Sequence, residues 1–291
     1  MTVCIAVACD YHPKQINNHP QLIMVSDTLL SMGITSADTL KARALTSNWS
    51  VMLAGEDVTY AEDVIEQARK NIKSRGVSSQ IDAVWSMVNA YKSIRIEQIE
   101  QRYLSSYNIT VAEFLAKNPD FPTPTKRQSL LDDIDKFDLG CEFLVSGFPP
   151  TGSNPCIFQI TNPGRYVPQS LQGYWAIGSG DANAITYLAR RNQSDLRPFA
   201  SSLYNAIAAK KLAEKAQGIG PDTIVYIMKH GGTQVEFLTT SQVDAIIKMW
   251  NEEEANVQPA NLEDRVKKIM TPPSNPELPM QLASGTSEPV Q

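Results

Sequence analysis

Thr2 stands directly behind the initiator methionine, in Met1-Thr2-Val3-Cys4. A small second residue permits removal of Met1, which would leave Thr2 with a free α-amine and a hydroxyl on one residue. A hydroxyl alone is a poor nucleophile and needs a base to take its proton. An α-amine, with a pKa of about 7.7 to 8.0, suits that task near neutral pH. Nucleophile and base would then belong to the same residue. Four further positions follow in order: Asp27 in Val25-Ser26-Asp27-Thr28, Lys41 in Asp38-Thr39-Leu40-Lys41, Gly55 in Met52-Leu53-Ala54-Gly55, and Ser179 in Gly178-Ser179-Gly180.

Each of these residues also has a plain structural reading. Thr2 is an ordinary β-branched strand residue, and Asp27 suits a turn. Lys41 suits a strand edge, where lysine discourages edge pairing. Gly55 ends a strand, and Ser179 can cap a helix N-terminus. Cys4 is a second nucleophile by type, but its place inside an apolar run suits a packed core thiol.

The elements that must position these residues read as follows. Thr2–Cys9 and Leu22–Ser26 form a hairpin around the Asn/His/Pro-rich loop Asp10–Pro20. Thr39–Leu45 and Trp49–Ala54 form a second strand pair, with turn residues Ser47-Asn48 between them. Beyond Gly55 the period changes: Val58, Ala61, Val64, Ile65 and Ala68 recur at helical spacing. A second helix starts near Ser79, with Ile81, Val84, Trp85 and Val88 as its buried stripe. Residues 106–140 read as an insertion of short helices. Strands return at Cys141–Gly147, Cys156–Thr161 and Tyr174–Ile177. Two helices follow, Asp181–Arg191 and about Leu196–Ala216, then a hairpin of Thr223–Met228 and Gln234–Leu238. A last helix runs from near Thr240 to about Glu254.

Strands are grouped rather than separated singly by helices, so a nucleotide-binding βαβ arrangement does not fit, and no glycine-rich phosphate loop follows a strand. The expected fold is α/β (α+β), a four-layer αββα sandwich. It spans residues 1–254, with 106–140 inserted, and is followed by a mostly disordered tail over 255–291 in which Leu262–Ile269 could form a short helix.

The composition narrows the functional classes. Of 291 residues 42% are apolar, enough for a full-sized core. Acidic residues outnumber basic ones 31 to 26, and no Lys/Arg cluster offers a nucleic acid a landing site. No apolar run approaches the roughly 18 to 20 residues that cross a bilayer, and the N-terminus lacks a basic leader, so a cytoplasmic, non-membrane protein is expected. Four cysteines and three histidines show no zinc-type spacing, and no metal or cofactor is expected.

Taken in order, Thr2, Asp27, Lys41, Gly55 and Gly178-Ser179-Gly180 resemble the catalytic β-subunits of proteasomes and the related peptidase rings of bacteria, which are N-terminal nucleophile hydrolases. The fourteen-residue spacing from Lys41 to Gly55 matches that family, and the resemblance covers roughly residues 2–250. It implies a threonine-type peptidase with an acyl-enzyme on Thr2. In it Lys41 would favour the neutral amine and stabilise the alkoxide, and Asp27 would hold Lys41. The Gly55 N–H would donate to the oxyanion, and Ser179 would orient the amine. It further implies a peptide or unfolded-protein substrate, a homo-oligomeric ring and room for an ATP-dependent unfoldase. One departure stands out: the family's late catalytic Asp has no equivalent in Lys215–Asp222. A non-catalytic subunit and a small-molecule amidase therefore stay open beside the peptidase.

Overall fold

The computed structural model describes residues 2–12, 19–32, 35–38, 40–55, 58–77, 79–117, 121–150, 152, 154–232 and 235–253. The expected tail and its short helix lie outside them. The chain divides into two units, residues 1–249 and 250–291. Of the second, residues 250–253 are described, and they are helical.

Strand β1 (Cys4–Cys9) pairs antiparallel with β2 (Gln21–Ser26), as an apolar hairpin should. The next residues form a small ribbon that the sequence did not announce, β3 (Leu29–Met32) against β4 (Thr35–Asp38). Then come β5 (Ala42–Ala44) and β6 (Trp49–Gly55). Helix α1 (Val58–Arg75) follows, and α2 (Gln80–Ile99) opens on a capping box in which Ser79 and Asp82 satisfy each other's backbone N–H groups. A π-helical turn at Glu100–Leu104 extends α2, and α3 (Val111–Ala116) and α4 (Pro124–Lys136) form the insertion. The second half holds β7 (Cys141–Gly147), β8 (Cys156–Thr161), β9 (Arg165–Pro168) and β10 (Tyr174–Ile177), then α5 (Asp181–Arg190) and α6 (Phe199–Ala213). It closes with β11 (Ile224–Lys229), β12 (Val235–Phe237) and α7 (Thr240–Glu253).

Two five-stranded antiparallel sheets result, in the orders β10-β1-β2-β11-β12 and β5-β6-β7-β8-β9. All six residues of β1 are buried because both faces are covered. Cys4, Ala6 and Ala8 meet Met52, Leu144 and Ile157 of the other sheet, while α6 packs on the opposite side. A second core lies between the β6–β8 strands and the helices, where Val51, Phe143, Val145 and Phe158 meet Val64, Ile65, Met87 and Tyr91. Burying such side chains contributes about 1.5 to 3 kcal/mol each.

The four-layer αββα description expected from the sequence is corrected here. The described chain is two five-stranded sheets, a separate two-stranded ribbon and seven α-helices. The physical reason lies in the insertion. Phe114 of α3, Leu130 and Ile134 of α4, and Phe137 enter the same core as α1 and α2, so that side of the molecule is a helical mass rather than one outer layer. Arg95 of α2 ties this mass together by donating to the Ile134 and Phe137 carbonyls at 2.8 and 3.1 Å.

Candidate active site

Strand register decides which residues meet at one end of the first sheet. Cys4 pairs with Ser26 on β2 and with Ile177 on β10. Extending both registers by one residue sets Val3 beside Asp27 and Gly178, and a second residue along β10 sets Thr2 opposite Ser179. The hydrogen bonds follow: the Val3 N–H donates to Asp27 Oδ1 at 3.0 Å, and the Ser179 hydroxyl donates to the Thr2 carbonyl at 3.4 Å.

Lys41 reaches this point from the second sheet. The sequence placed it inside the third strand, but it lies just ahead of β5, with its carbonyl accepting from the Leu53 N–H at 3.2 Å. Its ammonium donates to Asp27 Oδ1 at 2.7 Å and also to Thr2 Oγ1. The Thr2 hydroxyl donates to the same Asp27 oxygen at 2.8 Å. Asp27 and Lys41 are fully buried, and Thr2 is 2% exposed. An ion pair this deep in the fold is strongly coupled, and each partner would be costly to leave alone. The other Asp27 oxygen accepts from the Gly220 N–H at 3.2 Å.

Gly55 stands apart from this network among the described residues. It ends β6 and lines a cleft of about 670 Å³ with Asp138, Gly140, Cys141, Glu142, Thr161 and Asn162. A Cβ at Gly55 would sit 2.2 Å from the Gly140 carbonyl oxygen, so no larger residue fits. Gly178 is equally constrained. Its φ is +94°, and a Cβ there would fall 2.3 Å from the Thr2 carbonyl oxygen.

Sequence reasoning missed three participants. Glu142 of β7 accepts from the Gly178 N–H at 2.9 Å and from Gln159 Nε2 at 2.8 Å, while Gln159 accepts from Trp175 Nε1 at 3.1 Å. Burial raises the Glu142 carboxyl above its ordinary range, against the two donors that lower it. A lone charge inside Cys141-Glu142-Phe143-Leu144-Val145 was the available signal. Lys210 of α6, fully buried, donates to the Gly220 and Pro221 carbonyls at 2.8 and 2.9 Å and to Glu214 at 2.5 Å. Burial lowers its pKa. Gly220 is the third, in the stretch where no late acidic residue could be assigned. A single N–H facing Asp27 leaves no mark in sequence.

Cys4 belongs to the packing rather than to the chemistry. Its thiol donates to the Leu53 carbonyl at 3.3 Å and is pushed up to about 12, chiefly by burial. Among the described residues no group of three or more His, Cys, Asp or Glu side chains could hold a metal ion, and no helix is long and apolar enough to cross a membrane.

No family model and no curated protein matches the chain. Solved structures do match in fold. The helical assembly of the Anbu complex from Pseudomonas aeruginosa aligns with 94% of this chain and 99% of its own, at 17% identity and a TM-score of 0.60. Anbu (ancestral beta-subunit) from Yersinia bercovieri aligns over 94% and 100% of the two chains, at 14% identity and a TM-score of 0.60. A mutant of Anbu from Hyphomicrobium sp. strain MC1 aligns over 93% and 99%, at 14% and 0.57. These matches correct the resemblance drawn from motifs to catalytic proteasome β-subunits and bacterial peptidase rings. The structures alike in fold are Anbu proteins, one of them described as an ancestral beta-subunit, and identities of 14 to 17% extend the likeness to fold alone.

Proposed function

We propose that this protein is an N-terminal nucleophile hydrolase of the threonine type, cleaving peptide amide bonds through an ester on Thr2. The observation that carries the reading is the convergence of the Thr2 hydroxyl, the Lys41 ammonium and the Asp27 carboxylate in one buried cluster. Removal of Met1 frees the Thr2 amine. The Thr2 oxygen attacks the peptide carbonyl carbon while its proton passes to that amine. Lys41 offsets the negative charge developing on the oxygen, held in place by Asp27. In this reading the Gly55 N–H would donate to the oxyanion, a contribution of about 2.7 to 4 kcal/mol in other hydrolases. Collapse breaks the C–N bond, and the leaving amine takes the proton from the Thr2 ammonium. Water, deprotonated by the same amine, then hydrolyses the ester and restores the hydroxyl. Ser179 orients the Thr2 main chain throughout.

Intact mass should show loss of Met1. An epoxyketone directed at N-terminal threonine should label the protein, and Thr2→Ala should abolish the label. Retention of Met1 in the native protein would remove the base and defeat the mechanism. The 2% exposure of Thr2 favours a second reading, a non-catalytic proteasome-like subunit with a structural ion pair. Such a protein stays unlabelled even when Met1 has been removed. Comparing fluorogenic peptides with acyl-amino acids separates a peptidase from a small-molecule amidase.

The reading is of a cytoplasmic homo-oligomer, supported by the helical assembly of the Pseudomonas aeruginosa Anbu complex. Light scattering should return a multiple of the chain mass, and a monomeric mass would overturn this. The proposed substrate is a peptide or an unfolded protein, and an ATP-dependent unfoldase is a candidate partner.

A further inference from the structure

The proposed chemistry leaves one half-buried acid, Glu142, unused. Glu142 projects from β7, in the sheet that does not carry Thr2, and its two oxygens are spent on separate tasks. One accepts from the Gly178 N–H, at the start of the turn between β10 and α5. The other accepts from Gln159 of β8, which in turn accepts from the Trp175 indole of β10. The carboxylate therefore holds the turn directly and, through Gln159, the strand that leads into it.

What the turn presses on is Thr2. Gly178, at φ +94°, lies so close that a Cβ would come within 2.3 Å of the Thr2 carbonyl oxygen and 2.9 Å of its Cγ2. The neighbouring Ser179 hydroxyl donates to that same oxygen. Movement of the turn would be passed to the Thr2 main chain, and so to the amine and hydroxyl it carries. A displacement of about 1 Å at a reacting group can lower a rate about a hundredfold.

We propose that Glu142 is a positioning residue for Thr2, a bridge between the sheets that clamps the Gly178-Ser179 turn onto the Thr2 carbonyl. The proposal rests on Thr2 being the nucleophile, but the clamp itself can be read without any chemistry. A carboxylate suits the task because a charged acceptor bonds N–H groups about twice as strongly as a neutral one. Burial raises the Glu142 carboxyl, so the fold holds this charge at a cost.

The experiment uses the full chain and two variants, Glu142→Ala and Glu142→Gln, with two readouts. Amide hydrogen exchange over residues 174–180 reports the clamp directly. It should quicken about tenfold or more in Glu142→Ala and about threefold in Glu142→Gln, whose neutral oxygen still accepts from Gly178. Labelling of Thr2 by the epoxyketone reports the consequence. Its maximal rate should fall in the same order while the half-saturating probe concentration holds. A residue that merely lined the cleft would shift the half-saturating concentration instead. Exchange equal to wild type in whichever variant folds overturns the clamp. If the wild-type protein takes no label, the nucleophile reading fails separately, and the exchange data still judge the bridge.

Discussion

Among the described residues two lysines are fully buried, and their surroundings differ. Lys41 faces a carboxylate that it shares with a hydroxyl: Asp27 Oδ1 accepts from Lys41, from Thr2 and from the Val3 N–H. Lys210 faces two main-chain carbonyls and Glu214, a carboxylate that is 18% exposed. The first ammonium is therefore set against side chains whose bonds change when a proton moves. Around the second, main-chain partners cannot give up a proton, and the group works as a staple on the loop at 220–221. A buried cation marks a reactive centre only when one of its neighbours is itself reactive.

The sharpest way to break this comparison is to remove the shared carboxylate. Asp27→Ala strands the Lys41 ammonium where no water reaches it, and should cost about 3 to 5 kcal/mol in denaturant unfolding while ending Thr2 labelling. A loss below 1 kcal/mol would mean that Lys41 finds another partner, and the two lysines would then be alike.

Lys210→Met should cost less, about 2 kcal/mol, because two carbonyls lose their donor while the expense of burying an ammonium disappears. Thr2 labelling should persist. The sign of the pH effect follows from the lowered pKa. The folded protein releases the Lys210 proton before the unfolded chain does, so stability climbs with pH through the window just below 10.5. The methionine variant should show a flatter curve there, measured by urea unfolding across that range. Glu142 runs the opposite way: its raised pKa makes stability fall as pH rises from about 4.5, and Glu142→Gln should flatten that descent.

Glu214→Gln should change stability by less than about 1 kcal/mol, since its carboxylate is partly hydrated. The smallest effect belongs to Cys4, beside Lys41. Lys41 draws its thiol pKa down, but burial wins and holds it near 12. Iodoacetamide at pH 8 should leave it unmodified in the native protein, and prompt alkylation would show that water enters the Lys41 region.

Local pattern made much of the chain legible. The opening hairpin and the helix from Val58 follow from apolar period and the start near Ser79 from capping chemistry, each within a few residues of its expected place, but of the buried stripe expected on the second helix Ile81 and Trp85 are exposed. The ribbon between Leu29 and Asp38 did not appear, because short strands that pair only with each other carry too little periodicity to register. The same span displaced Lys41 from strand to strand entry. In the site, Thr2, Asp27, Lys41 and Ser179 had motif spacing to draw on. Glu142, Lys210 and Gly220 act across sheets or through main-chain atoms, and one-dimensional spacing does not encode such contacts. Lys210 left a faint trace, as the one charge closing Ala206-Ile207-Ala208-Ala209-Lys210 on a helix otherwise buried at almost every turn.

The pairing of β1 with β2 and β10 has a consequence for how this site can vary. Sheet side chains alternate, so a slip of one residue would turn Cys4, Ala6 and Ala8 outward and bring Ile5, Val7 and Cys9 into the space between the sheets. Only jumps of two residues, about 7 Å, would preserve the packing. Each such jump would carry Asp27 out of reach of the Val3 N–H and Ser179 out of reach of the Thr2 carbonyl. The strand register behind the cluster is thus quantised: a slip of the strands abolishes the cluster, and no partial slip keeps the packing.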